Sequence, residues 1–257
     1  MRPNPFDPVL LIDERGPVRI VTMNRPEALN AGSEELTAAL VKVWAWLADD
    51  VDARAVVLTG AGRAFSAGGD MVRFTRIQTD RELRARGIEE ARSLFNNIID
   101  FPLPLVAAVN GPAVGLGCTL AALCDLVYIA ESAFISDPHV NVGLTAGDGG
   151  APMWPLTMPI VKAKELLFFG TRISATEAVE VGLANGITPD GEVVEHAVSI
   201  ADKLAALPPQ ALQSTKRAVN LHIRRDANAV LDYALAAEFQ SYDTPEHHEF
   251  VRKFLAK

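Results

Sequence analysis

Two short apolar runs in this chain each lead directly into glycine-rich backbone, and that repeated arrangement limits the fold more than any other feature. Residues 55–59 run into Gly60-Ala61-Gly62-Arg63 and then Ala64-Phe65-Ser66-Ala67-Gly68-Gly69-Asp70. Leu105–Val109 runs through Asn110-Gly111-Pro112 into Val114-Gly115-Leu116-Gly117-Cys118. Apolar runs of this length, closed by turn residues, read as buried strands. Between them, Leu83, Ile88, Ala91, Phe95 and Ile98 keep a helical period over 80–100, and a further helix is expected over 119–123 with its free N–H groups aimed back at the second bend. Another apolar run at 126–130 reads as a third strand. Repeated strand and helix in this order predict an α/β fold around a mostly parallel sheet, which places both glycine loops at the carboxyl ends of strands, where ligands bind.

The flanking segments fit the same plan. Residues 9–12 and 18–23 surround Asp13-Glu14-Arg15-Gly16-Pro17 and predict an antiparallel hairpin. Ser33 is an expected N-cap for a helix carrying Leu36, Leu40, Val43 and Leu47 and ending near Asp50. Beyond Pro155 the chain turns helical: 160–169 stops at Gly170, Ser174-Ala175-Thr176-Glu177 opens a short helix as a capping box, and Ile187-Thr188 adds a short strand. Residues 192–207 then precede separate helices over 210–221, 227–241 and 246–255. A core of residues 1–200 and a helical region of 201–257 are the expected divisions.

With 257 residues, 49 % of them hydrophobic, the chain can bury a large core. A net charge of −8 and the absence of a Lys/Arg cluster argue against a nucleic-acid surface. The two cysteines, Cys118 and Cys124, lie in apolar sequence and are expected as reduced core thiols. Residues 1–8 lack a charged stretch followed by an apolar one, and no membrane span is visible, so a cytoplasmic location is expected. Gly115-Leu116-Gly117 is a poor dinucleotide fingerprint, because Leu120 stands where the third glycine belongs. Ala64-Phe65-Ser66-Ala67-Gly68 is a poor nucleophile elbow, because Ala64 replaces the first glycine. No phosphate-binding lysine loop and no His/Cys set at metal-ligand spacing is present.

The two loops together, Ala64–Asp70 and Val109–Cys118, carry a resemblance that neither carries alone. From Asn24-Arg25-Pro26-Glu27-Ala28-Leu29-Asn30-Ala31 through both loops to the C-terminal helices, the chain resembles the enoyl-CoA hydratase/isomerase, or crotonase, superfamily. The resemblance implies a spiral of βα repeats followed by a helical trimerisation region, assembled as homotrimers or pairs of trimers. A mean hydropathy of +0.15 and the apolar-striped helices suit an oligomer. It also implies an acyl-CoA thioester substrate, with coenzyme A as part of the substrate and no permanently bound cofactor or metal. The N–H groups of Gly69 and Leu116 would form the oxyanion hole. Ala28, Ala67, Gly68, Asp70, Met71 and Gly115 would line the substrate's coenzyme A and acyl portions. Converging donors of this kind stabilise an enolate-like oxyanion by about 2.7–4 kcal/mol each.

The chain departs from the family at two positions. Typical hydratases carry one glutamate on the helix after the second glycine loop and another after the proline of the following loop, where this chain has Thr119 and His139. Thr119 cannot ionise usefully, and its expected role is a helix-start hydroxyl satisfying backbone groups. His139 can replace a carboxylate as general base. Asp148 is expected to orient the neutral imidazole, to cap a helix beginning at Gly149, or both; activity would then fall as pH drops through the imidazole pKa. The pattern Pro138-His139 with Gly147-Asp148-Gly149 also resembles, locally, a branch that hydrolyses carbon–carbon bonds of β-diketones with a His–Asp pair. Enoyl-CoA hydratase/isomerase-type chemistry is thus the leading expectation, with poor simple hydration of short enoyl-CoAs. A β-dicarbonyl hydrolase and a non-catalytic acyl-CoA-binding protein are the alternatives.

Overall fold

The computed structural model describes residues 3–256, so the first two residues of the segment 1–8 read above lie outside the described residues. In chain order the elements are β1 (Leu10–Arg15), β2 (Val18–Met23), α1 (Glu34–Ala48), β3 (Ala55–Gly60), α2 (Met71–Thr79), α3 (Arg81–Ile99), β4 (Leu105–Val109), β5 (Ala113–Val114), α4 (Leu116–Leu123), β6 (Leu126–Ala130) and β7 (Phe134–Ser136). There follow α5 (Gly150–Thr157), α6 (Ile160–Phe169), β8 (Ile173–Ser174), α7 (Ala175–Glu180), β9 (Gly186–Thr188), α8 (Val193–Ala205), α9 (Pro209–Ser241) and α10 (Pro245–Leu255). One sheet has the order β1-β2-β3-β4-β6-β9 and a smaller one the order β5-β7-β8. β1 and β2 form the expected antiparallel hairpin, and every later pairing in the large sheet is parallel. β3 and β4 are buried along their whole length. That explains their continuous apolar sequence, since parallel strands are covered on both faces. Trp44, Phe65, Phe95 and Trp154 are the largest side chains of the shared core.

Local chemistry sets the helix ends. Ser33 caps α1 by accepting from the Leu36 N–H at 3.2 Å, Ser174 caps α7 through Glu177 N–H, and Gly170 ends α6 at φ +57°. Two features differ from the sequence expectation. α2 is absent from the sequence expectation: the helix is short and only Ile77 of its nine residues is buried, with Phe74 packed beside it, while Asp70 caps its start and Asp80 that of α3. The segments expected as separate helices over 210–221 and 227–241 are one continuous α9. Its polar middle is pinned to the end of α3 and the connection into β4, with Lys216 Nζ donating to Leu103 O at 2.8 Å, Asn220 Nδ2 to Ile99 O at 2.8 Å, and Arg224 pairing with Asp100. These anchors keep helical a stretch that shows no apolar period. Among the described residues, no helix is long and apolar enough to cross a membrane.

α4 begins at Leu116, three residues before its expected start, so Gly117 lies inside its first turn. A Cβ there would stand 2.5 Å from Ser66 O and 2.9 Å from Ser66 Cβ. Gly117→Ala is therefore expected to push the two glycine loops apart and lower unfolding free energy by about 1–3 kcal/mol, as overpacking does. A urea titration read by fluorescence checks this, and an unchanged midpoint would show that the loops are not in close register.

Candidate active site

The site starts from the contact between the two glycine loops. Ser66 and Ala113 form an isolated parallel bridge, in which Ser66 N–H donates to Pro112 O at 3.1 Å and Val114 N–H donates to Ser66 O at 2.9 Å. Three residues farther along each of these two segments come Gly69 and Leu116, and both line one cavity. Gly68 (φ +97°) and Gly115 (φ +51°) turn the loops in left-handed backbone that side chains rarely adopt. Among the described residues, neither the Gly69 nor the Leu116 N–H donates to a protein acceptor. α2 and α4 begin directly after the two loops, adding the positive ends of two helices.

Both residues border a cavity of about 280 Å³, together with Ala67, Gly68, Asp70, Met71, Gly115, Thr119, His139 and Asp148. The structure thus brings together every site residue read from the sequence except Ala28, which lies outside the lining in a 3₁₀ turn (Pro26–Ala28). Its neighbour Leu29 accepts from the Ala67 N–H at 2.9 Å. Asp70 has a structural task at the rim, accepting from Val72 N–H at 2.9 Å and pairing with Arg25 at 3.0 Å.

The titratable groups are arranged differently from the expectation. Asp137, not Asp148, is the hydrogen-bond partner of His139: one Asp137 oxygen meets the imidazole Nδ1 and accepts from the His139 N–H at 3.3 Å. A short Asx-type turn over Asp137-Pro138-His139 therefore orients the ring. His139 Nε2 is left facing Asp148, 3.9 Å away and beyond hydrogen-bond reach. Asp148 does not cap α5, whose N-cap is Gly149 with no side-chain bond. Its Oδ1 instead accepts from the Thr119 hydroxyl at 3.1 Å, so Thr119 serves this carboxylate rather than the backbone. The glycines around Asp148 make this packing possible. A Cβ on Gly149 would collide with the Thr119 side chain, and one on Gly150 with the Asp137 carboxylate.

Sequence reasoning missed Glu238. α9 carries it to the same cavity, buried at 6 % exposure, with Tyr242 one turn on and the Tyr242 hydroxyl 3.5 Å from Glu238 Oε1. Its apolar run Ala234-Leu235-Ala236-Ala237 signalled burial, but no spacing rule links α9 to a loop far earlier in the chain.

Burial and charge together decide the protonation states. Desolvation opposes the His139 imidazolium, yet the Asp137 carboxylate, by charge and by hydrogen bond, and then Asp148 and Glu238 outweigh it and hold the pKa well above the ordinary imidazole value. Burial raises Asp148, against which the His139 charge and the Thr119 hydroxyl work. Burial, then the Asp148 charge, pushes Glu238 up to about 8. The surroundings thus favour the protonated form of both His139 and Glu238, in contrast to the neutral imidazole expected from sequence.

Known proteins carry the same framework. The family model described as enoyl-CoA hydratase/isomerase matches residues 13–256. The chain is 31 % identical over 249 residues to the short-chain-enoyl-CoA hydratase of Clostridium acetobutylicum, with 96 % of this chain and 95 % of that one covered. It is 32 % identical over 252 residues to the 2,3-dehydroadipyl-CoA hydratase of Escherichia coli, with 96 % of each covered. Among solved structures, an enoyl-CoA hydratase/isomerase from Mycobacterium paratuberculosis matches with a TM-score of 0.92 at 49 % identity, over 95 % of this chain and 98 % of that one. The loops, the sheet they hang from and these matches place the chain in one group: it belongs to the enoyl-CoA hydratase/isomerase family and has the crotonase fold.

Proposed function

We propose that the chain is an enzyme acting on an acyl-CoA thioester, whose thioester oxygen lies between the N–H groups of Gly69 and Leu116. The observation that carries this reading is the pair of unpartnered donors just beyond the Ser66–Ala113 bridge, at the edge of a cavity that also holds His139 and Asp148. Charge built on the thioester oxygen as an enolate forms is met by donors already in place, which avoids reorganisation at the moment of reaction. His139 then acts as the acid. Its Nδ1–H is engaged by Asp137, and its Nε2–H is available to protonate the enolate carbon. Asp148, fixed by the Thr119 hydroxyl, is placed to take a proton from water or from an α-carbon.

With no glutamate at positions 119 and 139, simple hydration of short enoyl-CoAs should be slow. The His139–Asp148 pair also suits a second reading, hydrolysis of a β-dicarbonyl compound, because the 3.9 Å gap between the two groups lies over the same cavity. A homotrimer or a pair of trimers would cover exposed apolar side chains such as Val161, Phe168 and Phe169.

Calorimetry should show an acyl-CoA binding at micromolar to millimolar concentration, and light scattering on the same sample a mass above 27.6 kDa. Absence of binding by any acyl-CoA or by free CoA contradicts the reading, and a mass of one chain contradicts the assembly. His139→Ala should lower turnover about 10²–10⁴-fold, the usual contribution of a positioned acid or base. Turnover should fall as pH rises through the raised His139 pKa. Asp137→Asn removes the group that raises it, so this alkaline limb should move to lower pH while KM changes little. A limb left in place by Asp137→Asn would show that another group is the acid.

A further inference from the structure

Beyond the glycine loops the cavity closes on an apolar wall of Ile77, Ile88, Ala91 and Leu94, and on a polar end formed by α9. Each of the two guanidinium groups that border this end already faces a carboxylate, although Arg73 Nε makes no hydrogen bond. Arg84 donates from Nε and Nη2 to Ile77 O at 3.3 Å and lies 2.7 Å from Asp243, and Arg73 lies 2.5 Å from Glu90 and donates to the Thr37 hydroxyl at 3.0 Å. An acyl chain ending in a carboxylate would therefore meet Asp148 and Glu238, while the two arginines that line the cavity already face carboxylates of the protein. An unsubstituted chain would bury the Glu238 carboxyl against hydrocarbon. Glu238 Oε2 has no hydrogen-bond partner in the fold, and Oε1 has only the Tyr242 hydroxyl at 3.5 Å.

We propose that Glu238 is the acyl-recognition residue, donating a hydrogen bond to an uncharged oxygen, ketone or hydroxyl, that the acyl chain carries beyond the thioester. The proposal rests on the acyl-CoA reading above and names the substrate class for it. Facing Glu238 are Asp148, His139 and Asp137 from the loop before α5, Tyr242 from its own helix, and Arg73 and Arg84 from α2 and α3. Burial and the Asp148 charge leave the carboxyl titrating at about 8, so at neutral pH it has a proton to donate. A site whose buried donor is left unpaired rejects the ligand that lacks the acceptor.

The test measures affinities of CoA thioesters of one chain length that carry a 3-oxo group, a 3-hydroxyl group, no substituent or a terminal carboxylate, together with free CoA. It uses the full chain and its Glu238→Gln and Glu238→Leu variants, with melting temperatures recorded to show that each is folded. The wild type should bind an oxygenated thioester about 5- to 100-fold more tightly than the unsubstituted one, the range set by leaving one buried donor unpaired. The carboxylate-terminated thioester should bind most weakly. Glu238→Gln, whose amide still donates, should keep the preference, and Glu238→Leu should abolish it. Above pH 8 the wild-type preference for the oxo compound should fade while that of Glu238→Gln persists. A hydroxyl can donate to the ionised carboxylate, so retention of the hydroxy compound there identifies a hydroxyl as the feature recognised. A preference that survives in Glu238→Leu, or a wild type that does not discriminate, overturns the proposal. Failure of free CoA and of all four thioesters to bind overturns the acyl-CoA reading itself.

Discussion

The backbone bridge between Ser66 and Ala113 is the contact on which the site depends. It ties the loop after β3 to the short strand after β4 through the two-sided pairing of Ser66, and Gly69 and Leu116 follow three residues beyond it on the two segments. The sheet beneath it supplies the precision, since β3 and β4 are adjacent, parallel and fully buried. Glycine is required where the two loops touch. A Cβ on Gly68 would come 2.9 Å from Val114 O, and one on Gly69 would strike the Phe74 ring. The same close approach that makes the bend leaves two amide donors without internal partners, at the carboxyl end of a parallel sheet and beside two helix starts. Dry, oriented donors of this kind favour a developing oxyanion far more than solvent does.

Behind the loops stands a buried charge cluster. Asp137 is fully buried, and its second carboxylate oxygen, Oδ2, has no hydrogen-bond partner. An unpaired carboxylate in that position would be strongly destabilising, so the cluster holds together only with His139 protonated against it. The pair therefore does two things at once: it sets a charge partner against Asp137 and favours a proton on the imidazole. Thr119 plays the matching part on the other side by fixing Asp148. Thr119 and His139, the residues at the family's two glutamate positions, are thus linked to the carboxylates of Asp148 and Asp137 respectively, and Thr119, His139 and Asp148 all border the cavity.

The glycine loops, the hairpin, the capping residues Ser33 and Ser174 and the stop at Gly170 were legible because each rests on local chemistry. His139, Asp148 and Thr119 were singled out by the family resemblance and the motif around them, not by local chemistry, and the fold places all three along one cavity. What escaped depends on contacts between distant segments. The choice of Asp137 over Asp148 as the ring's partner is set by how the loop before α5 folds, and Gly149 and Gly150 admit that fold only because Thr119 and Asp137 occupy the space a side chain would fill. Glu238 comes from the far end of the chain on a helix whose continuity through residues 222–226 relies on anchors to Leu103, Ile99 and Asp100. α2 is a short helix whose apolar face, Phe74 and Ile77, packs on residues distant in sequence, Leu144 and Tyr242, and whose start is capped by Asp70.

The most direct test of the central claim is a crystal structure of the protein with a non-reacting acyl-CoA analogue. The account predicts the thioester oxygen about 2.7–3.1 Å from both the Gly69 and Leu116 backbone nitrogens, with the α-carbon turned toward His139 Nε2. A thioester bound elsewhere, or an oxygen contacting neither nitrogen, would contradict it.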